Sequence, residues 1–151
     1  MGKRIYTPRR RTDSARARKR KRELIQYRHL MLEINEGKMR LKELRARESD
    51  LLTADDETVA VRVAAKIESY REEIRRNIER SYEGAVAIQT YINLIGDSET
   101  RRIFTLYYIK GYTWRRVARE LGYADESVPR KKHDRYILST EKTPDEEKKP
   151  N

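Results

Sequence analysis

The sequence contains no cysteine, which excludes disulfides, thiolate metal sites and cysteine nucleophiles. Its two histidines, His29 and His133, stand far apart and in no metal-ligand spacing, so neither a metal nor any other cofactor is expected. No run of about eighteen apolar residues exists, so no membrane-spanning helix is expected. The basic N-terminus has no apolar stretch behind it and does not read as a secretory signal. No glycine loop that could cradle phosphate and no nucleophile–base spacing is found, so an enzyme is not expected. A cytoplasmic protein, in a bacterial host, is the resulting expectation. Four prolines and six glycines leave few breaks in 151 residues, and this favours helix.

Charge is what the chain has in abundance. Charged residues make up 40% and hydrophobic ones 36%, which suits long two-sided helices better than a deep globular core. The net charge of +11 is unevenly placed. Met1 to Arg22 hold eleven Lys and Arg against the single acid Asp13, while the rest of the chain is nearly balanced. Residues 1–22 therefore read as a disordered basic arm. Arg9, Arg10, Arg11, Arg18, Lys19, Arg20, Lys21 and Arg22 are its candidate phosphate contacts, because such a block repels itself and is relieved by a polyanion. A solubilising tail and a nuclear-import signal at residues 16–22 fit the same composition.

Residues 23–95 read as a long helical hairpin. Tyr27, Leu30, Ile34, Leu41, Leu44 and Leu51 follow a three-four alternation, with Gly37 and Glu48 filling vacant steps. Pairs such as Glu36 with Arg40 and Glu43 with Arg47 suit the wet side. Thr53 is the expected N-cap of a second helix, over about 54–94, with Asp55, Asp56 and Glu57 opposing its dipole. That helix carries a seam of Val63, Ile67, Tyr70, Ile74, Ile78, Ser81, Ala85, Ile88, Ile92 and Ile95. The short link makes the helices antiparallel neighbours. Seams on both make a homo-oligomer through the long helices an expected arrangement.

Residues 96–138 read as a helix-turn-helix domain, and 139–151 as a disordered charged tail. Ser98 is the expected cap of a first short helix carrying Ile103, Leu106 and Tyr107 inward and ending at Gly111. Thr113 caps a second, Trp114 to Leu121. Trp114, Val117, Ala118 and Leu121 share one face of it, with Ala118 as the small residue where two steeply crossed helices touch. Gly122 supplies the positive φ of the turn. A third helix begins at Ala124 or Asp125. Helical projection sets Val128 and Tyr136 inside and Glu126, Ser127, Arg130, His133 and Asp134 outside, as candidates for base contacts. Arg130 leads them, because its guanidinium fork matches guanine O6 and N7. Arg115, Arg116, Arg119, Lys131, Lys132 and Arg135 are candidates for phosphate contacts. Pro129 and Lys132 depart from the pattern, since proline sits best at the first helical position and an apolar residue suits position 132.

The stretch Tyr91 to Tyr123, with Arg102-Ile103, Leu106–Tyr108, Gly111-Tyr112-Thr113-Trp114, Val117-Ala118 and Leu121-Gly122, resembles the C-terminal part of small regulators encoded by phages and prophages of Gram-positive bacteria. These are similar to region four of sigma factors and to the RinA and ArpU late-gene regulators. Ser127 to Tyr136 is similar to the family's third helix. The resemblance covers about a third of the chain. It implies an all-α, DNA-binding transcription regulator, with double-stranded DNA as ligand and bacterial RNA polymerase as a protein partner. A DNA-packaging component, such as a small terminase subunit, is the competing expectation, and mass in solution separates the two.

Overall fold

A computed structural model describes residues 15–51 and 56–141. All the regular structure among these residues is helical: α1 (Ala15–Leu51), α2 (Glu57–Asn93), α3 (Ser98–Phe104), which runs on into a π-helical turn at Thr105–Ile109, α4 (Trp114–Glu120) and α5 (Ser127–Thr140). The two 37-residue helices pack on each other as a hairpin, each roughly 55 Å long. No helix among the described residues is long and apolar enough to cross a membrane.

The hairpin seam follows the expected alternation with one exchange. Ile34, Ile67, Ile74, Ala85, Ile88, Ile92 and Ile95 are buried, as is Gly37. A Cβ at Gly37 would lie 2.6 Å from Cγ1 of Ile78, so the glycine is what lets the helices approach there. Tyr70, expected in the seam, is exposed, and Arg71 takes that step instead. Its guanidinium reaches Glu48 of α1 at 2.8 Å. Glu33 accepts from the Ser81 hydroxyl at 2.8 Å, and the Lys38 ammonium donates to the Tyr82 hydroxyl at 2.7 Å. The expected Glu36–Arg40 and Glu43–Arg47 pairs are not found among the described residues.

Two boundaries differ from expectation. The cap of α2 is Asp56, whose carboxylate accepts from Thr58 N at 2.8 Å; Thr53, expected in that role, lies outside the described residues. The basic stretch 15–22, expected to be disordered, is the first two turns of α1. Arg, Lys and Ala are strong helix formers, and Ala17 and Leu24 are buried against the C-terminal helices. Residues 1–14, including Arg9, Arg10 and Arg11, lie outside the described residues, as do 142–151 of the expected tail; Ser139 and Thr140 belong to α5.

The C-terminal helices share one core with the open end of the hairpin. Phe104, Tyr108 and Ile137 pack with Ala17, Leu24, Ile88, Ile92 and Ile95. The π-helical turn, closed by Lys110 N bonding to Thr105 O at 3.0 Å, fits one more residue into a helical turn. Both Leu106 and Tyr108 thereby face inward, the first toward Ile103 and Val117, the second toward α5.

Candidate nucleic-acid interface

The turn between α4 and α5 is built from local chemistry. The Thr113 hydroxyl caps α4 by accepting from Arg116 N at 3.3 Å, as its position before Trp114 implies. Gly111 and Gly122 take φ of +69° and +78°, the left-handed region at both ends of α4. Val117 and Ala118 are buried; Leu121 is half-buried against Ile103 and Leu106; Tyr123 N closes the turn on Ala118 O at 2.8 Å. Trp114 stacks on Tyr107 with ring centroids 4.1 Å apart. Asp97, rather than Ser98, caps α3, accepting from both the backbone N and the hydroxyl of Thr100. Those bonds hold its carboxyl below the usual range. Helix α5 begins at Ser127, and the Asp125 carboxylate accepts from its backbone N at 2.8 Å.

Helix α5 is turned about its axis relative to the projection from sequence. Its buried stripe is Pro129, His133 and Ile137, and Val128 and Tyr136 lie half-buried beside it. Pro129 stands at the third helical position, where its missing N–H breaks no helical hydrogen bond and its ring enters the core. His133, expected on the groove face, is 2% exposed and is not available to DNA. Its ring lies 4.7 Å from that of Phe104 and 5.0 Å from that of Trp114.

The bonds of His133 fix its tautomer. Nδ1 is 2.9 Å from a carboxylate oxygen of Asp134, which can only accept, so Nδ1 carries the proton. In the neutral ring Nε2 is then bare, and it accepts from the Tyr108 hydroxyl at 2.7 Å. Burial pushes the Tyr108 phenol well above its ordinary range. Asp134 also meets the Lys21 ammonium at 3.0 Å. Burial alone would raise its carboxyl, but the bonds from His133 and Lys21 outweigh that and lower it. A chain Tyr108–His133–Asp134–Lys21 thus ties α5 to the π-helical turn and to α1. Neither the role of Tyr108 nor this link is evident from sequence, where His133 stands 25 residues from Tyr108.

Further residues expected at DNA are engaged within the protein. Lys132 pairs with Glu99 of α3 and donates to the Tyr123 hydroxyl at 3.2 Å, so its half-exposed ammonium points along the domain. Arg20 reaches Glu141 at 2.7 Å and Glu23 at 2.9 Å, with its guanidinium 4.6 Å over the Tyr91 ring. Lys21 is held by Asp134.

What faces outward is cationic. Arg130, Lys131 and Arg135 are exposed on α5, with Ser127 and Glu126 half-exposed at its start. Arg130 lies 3.3 Å from Glu126 along an exposed helical turn. On α4, Arg115, Arg116 and Arg119 are exposed; the Arg116 guanidinium sits 3.6 Å over the Tyr112 ring and 3.9 Å from Glu120. A hollow between α4 and the start of α5 is lined by Arg115, Ala118, Arg119, Tyr123, Asp125 and Glu126. Arg18, Lys19 and Arg22 are exposed on the first turns of α1. Such a surface can meet phosphates along two helices and offer one guanidinium fork to a base edge. No known family model, curated protein or solved structure matches this chain.

Proposed function

We propose that the chain binds duplex DNA through α4 and α5 and acts as a sequence-specific transcription regulator of the sigma-region-four-like kind. Its proposed targets are phage or prophage genes, with bacterial RNA polymerase as a protein partner. The observation that carries this reading is the outward cationic face of α5, Arg130, Lys131 and Arg135, on a helix held to α4 by a turn with Gly122 at positive φ. The regulatory part rests on the resemblance of Tyr91–Tyr123 to phage regulators. Arg130 is the proposed base reader, since its pair with the half-exposed Glu126 lies at the surface and is easily exchanged for a guanine edge.

Competition binding with a preferred duplex, selected from random sequence, and a scrambled one tests this. Arg130→Ala is expected to lose about 1–3 kcal/mol on the preferred duplex, the usual worth of a bidentate guanine contact. On the scrambled duplex the loss should be that of one phosphate contact at most. Lys131→Ala should weaken both alike. Equal losses for Arg130→Ala would make it a phosphate contact, and absence of any duplex binding would end the reading.

A further inference from the structure

A hollow of about 490 Å³ lies between α1 and the loop that leads into α4. Small-ligand sites are concavities of about 300–1,000 Å³, mostly apolar, with a few polar groups that fix orientation. The walls here are Ile25 from α1, Tyr107 and Tyr108 from the π-helical turn, and Tyr112 and Trp114 from the loop and the start of α4. Tyr107 and Trp114 are stacked on each other, their planes 12° apart, so the orientation of both rings is set before any ligand arrives.

One charge stands among these rings. Of the described residues that line the hollow, only Arg28 is charged, and none is a carboxylate. Arg20, Arg71 and Arg130 each reach a glutamate, whereas Arg28 makes no ion pair or hydrogen bond with any described residue. The hollow between α4 and α5, by comparison, carries charges of both signs. The Arg28 guanidinium is placed by shape. A Cβ on Gly111 would lie 2.5 Å from the guanidinium carbon, so the cation rests against glycine backbone in space that another residue would fill. Thr113 also lines the hollow; its hydroxyl accepts from Arg116 N to cap α4 and keeps its own proton to donate.

The chemistry of the occupant follows from these groups. A planar guanidinium fork without a partner matches a carboxylate through two parallel hydrogen bonds. A single cation balances a single negative charge, which a carboxylate supplies and a doubly charged phosphate ester exceeds. Aromatic walls favour a flat ring over a saturated one, because stacked and edge-to-face contacts add to the area buried. We infer that the hollow binds a small planar aromatic carboxylate, with its carboxylate on Arg28 and its ring among Tyr107, Tyr112 and Trp114.

The single tryptophan of the chain makes the test direct. In the full chain labelled with nitrogen-15, one indole N–H resonance reports on Trp114 alone. It is followed while 2-naphthoate is added, and in parallel 2-naphthamide, which lacks the charge, and decalin-2-carboxylate, which lacks the flat ring. The expected result is a saturable shift with 2-naphthoate, half complete at about 1 mM or below, as is ordinary for a ligand of that size. The other two compounds should bind at least about tenfold more weakly, since each lacks one of the two matched features. Arg28→Gln should abolish the advantage of 2-naphthoate over 2-naphthamide. Arg47→Gln, an equally exposed arginine farther along α1, should leave it intact. No saturable shift with 2-naphthoate overturns the inference. So does equal binding of the amide or of the saturated acid in wild type, and so does an advantage that survives Arg28→Gln or falls equally in Arg47→Gln. The assay contains no DNA, so its outcome is independent of the function proposed above.

Discussion

Removing the Tyr108 hydroxyl isolates the buried link that holds α5 in place. In Tyr108→Phe the ring stays within its packing against Phe104 and His133, so little volume is lost. What disappears is the donor to His133 Nε2 at 2.7 Å, and the ring nitrogen is left without it in a residue 2% exposed. A buried acceptor deprived of its donor costs about 1–3 kcal/mol. Because Nδ1–H is already committed to Asp134, the imidazole cannot repair the loss by switching tautomer. For a chain of this size each kcal/mol moves the melting midpoint by about 2–4 °C, so a fall of about 2–12 °C is expected. Thermal unfolding followed by circular dichroism measures it, with Tyr107→Phe, a half-buried neighbour on the same turn, as control. The link also orients α5, so Tyr108→Phe should weaken duplex binding while leaving Arg130, Lys131 and Arg135 untouched. A midpoint equal to that of the control would refute the bonding scheme and the tautomer derived from it.

The two helical glycines of the hairpin should respond differently to alanine. Gly37→Ala sets a Cβ 2.6 Å from Cγ1 of Ile78 and should destabilise the fold by about 1–3 kcal/mol, as overpacking does. At Gly84 the nearest atom is a terminal methyl of Leu30 at 2.9 Å, which can swing, so the gain in helix propensity of about 1 kcal/mol should leave Gly84→Ala near neutral in urea unfolding. Gly122 has open space where a Cβ would go but a φ of +78°, so Gly122→Ala should cost about 1–2 kcal/mol from backbone strain alone. Gly122→Asn should cost less in the same assay. The Asp134 carboxyl is lowered from its ordinary value of 3.8, so its contribution to stability is present above that pH and is lost as pH falls through the depressed value. Denaturant unfolding across the acid range should therefore lose stability less steeply in Asp134→Asn than in wild type.

The sequence by itself determined that the chain is helical, that two long helices close as a hairpin, and where α4 begins and ends. Apolar residues at three-four spacing on both long helices leave one way to bury both stripes, and Thr113, Gly111 and Gly122 set the ends of α4 through local bonds and backbone freedom alone. Tertiary structure decided the rest wherever two adjacent readings were equally helical. At α2, Tyr70 and Arg71 compete for one seam step, and Glu48 across the interface settles it for Arg71. At the N-terminus, a stretch whose charge density reads as disordered becomes helix because Ala17 finds a core, and Glu141 and Asp134 neutralise Arg20 and Lys21. On α5 two stripes one residue apart were available, Val128–Lys132–Tyr136 and Pro129–His133–Ile137. They differ by about 100° of rotation, and each contains one polar residue. The second is buried because Phe104 and Tyr108, brought forward by the π-helical turn, give His133 a ring to pack on and a hydroxyl to bond, while Lys132 at the edge reaches Glu99. No pattern within α5 carries that information, because the partners that choose its inner face lie on another helix.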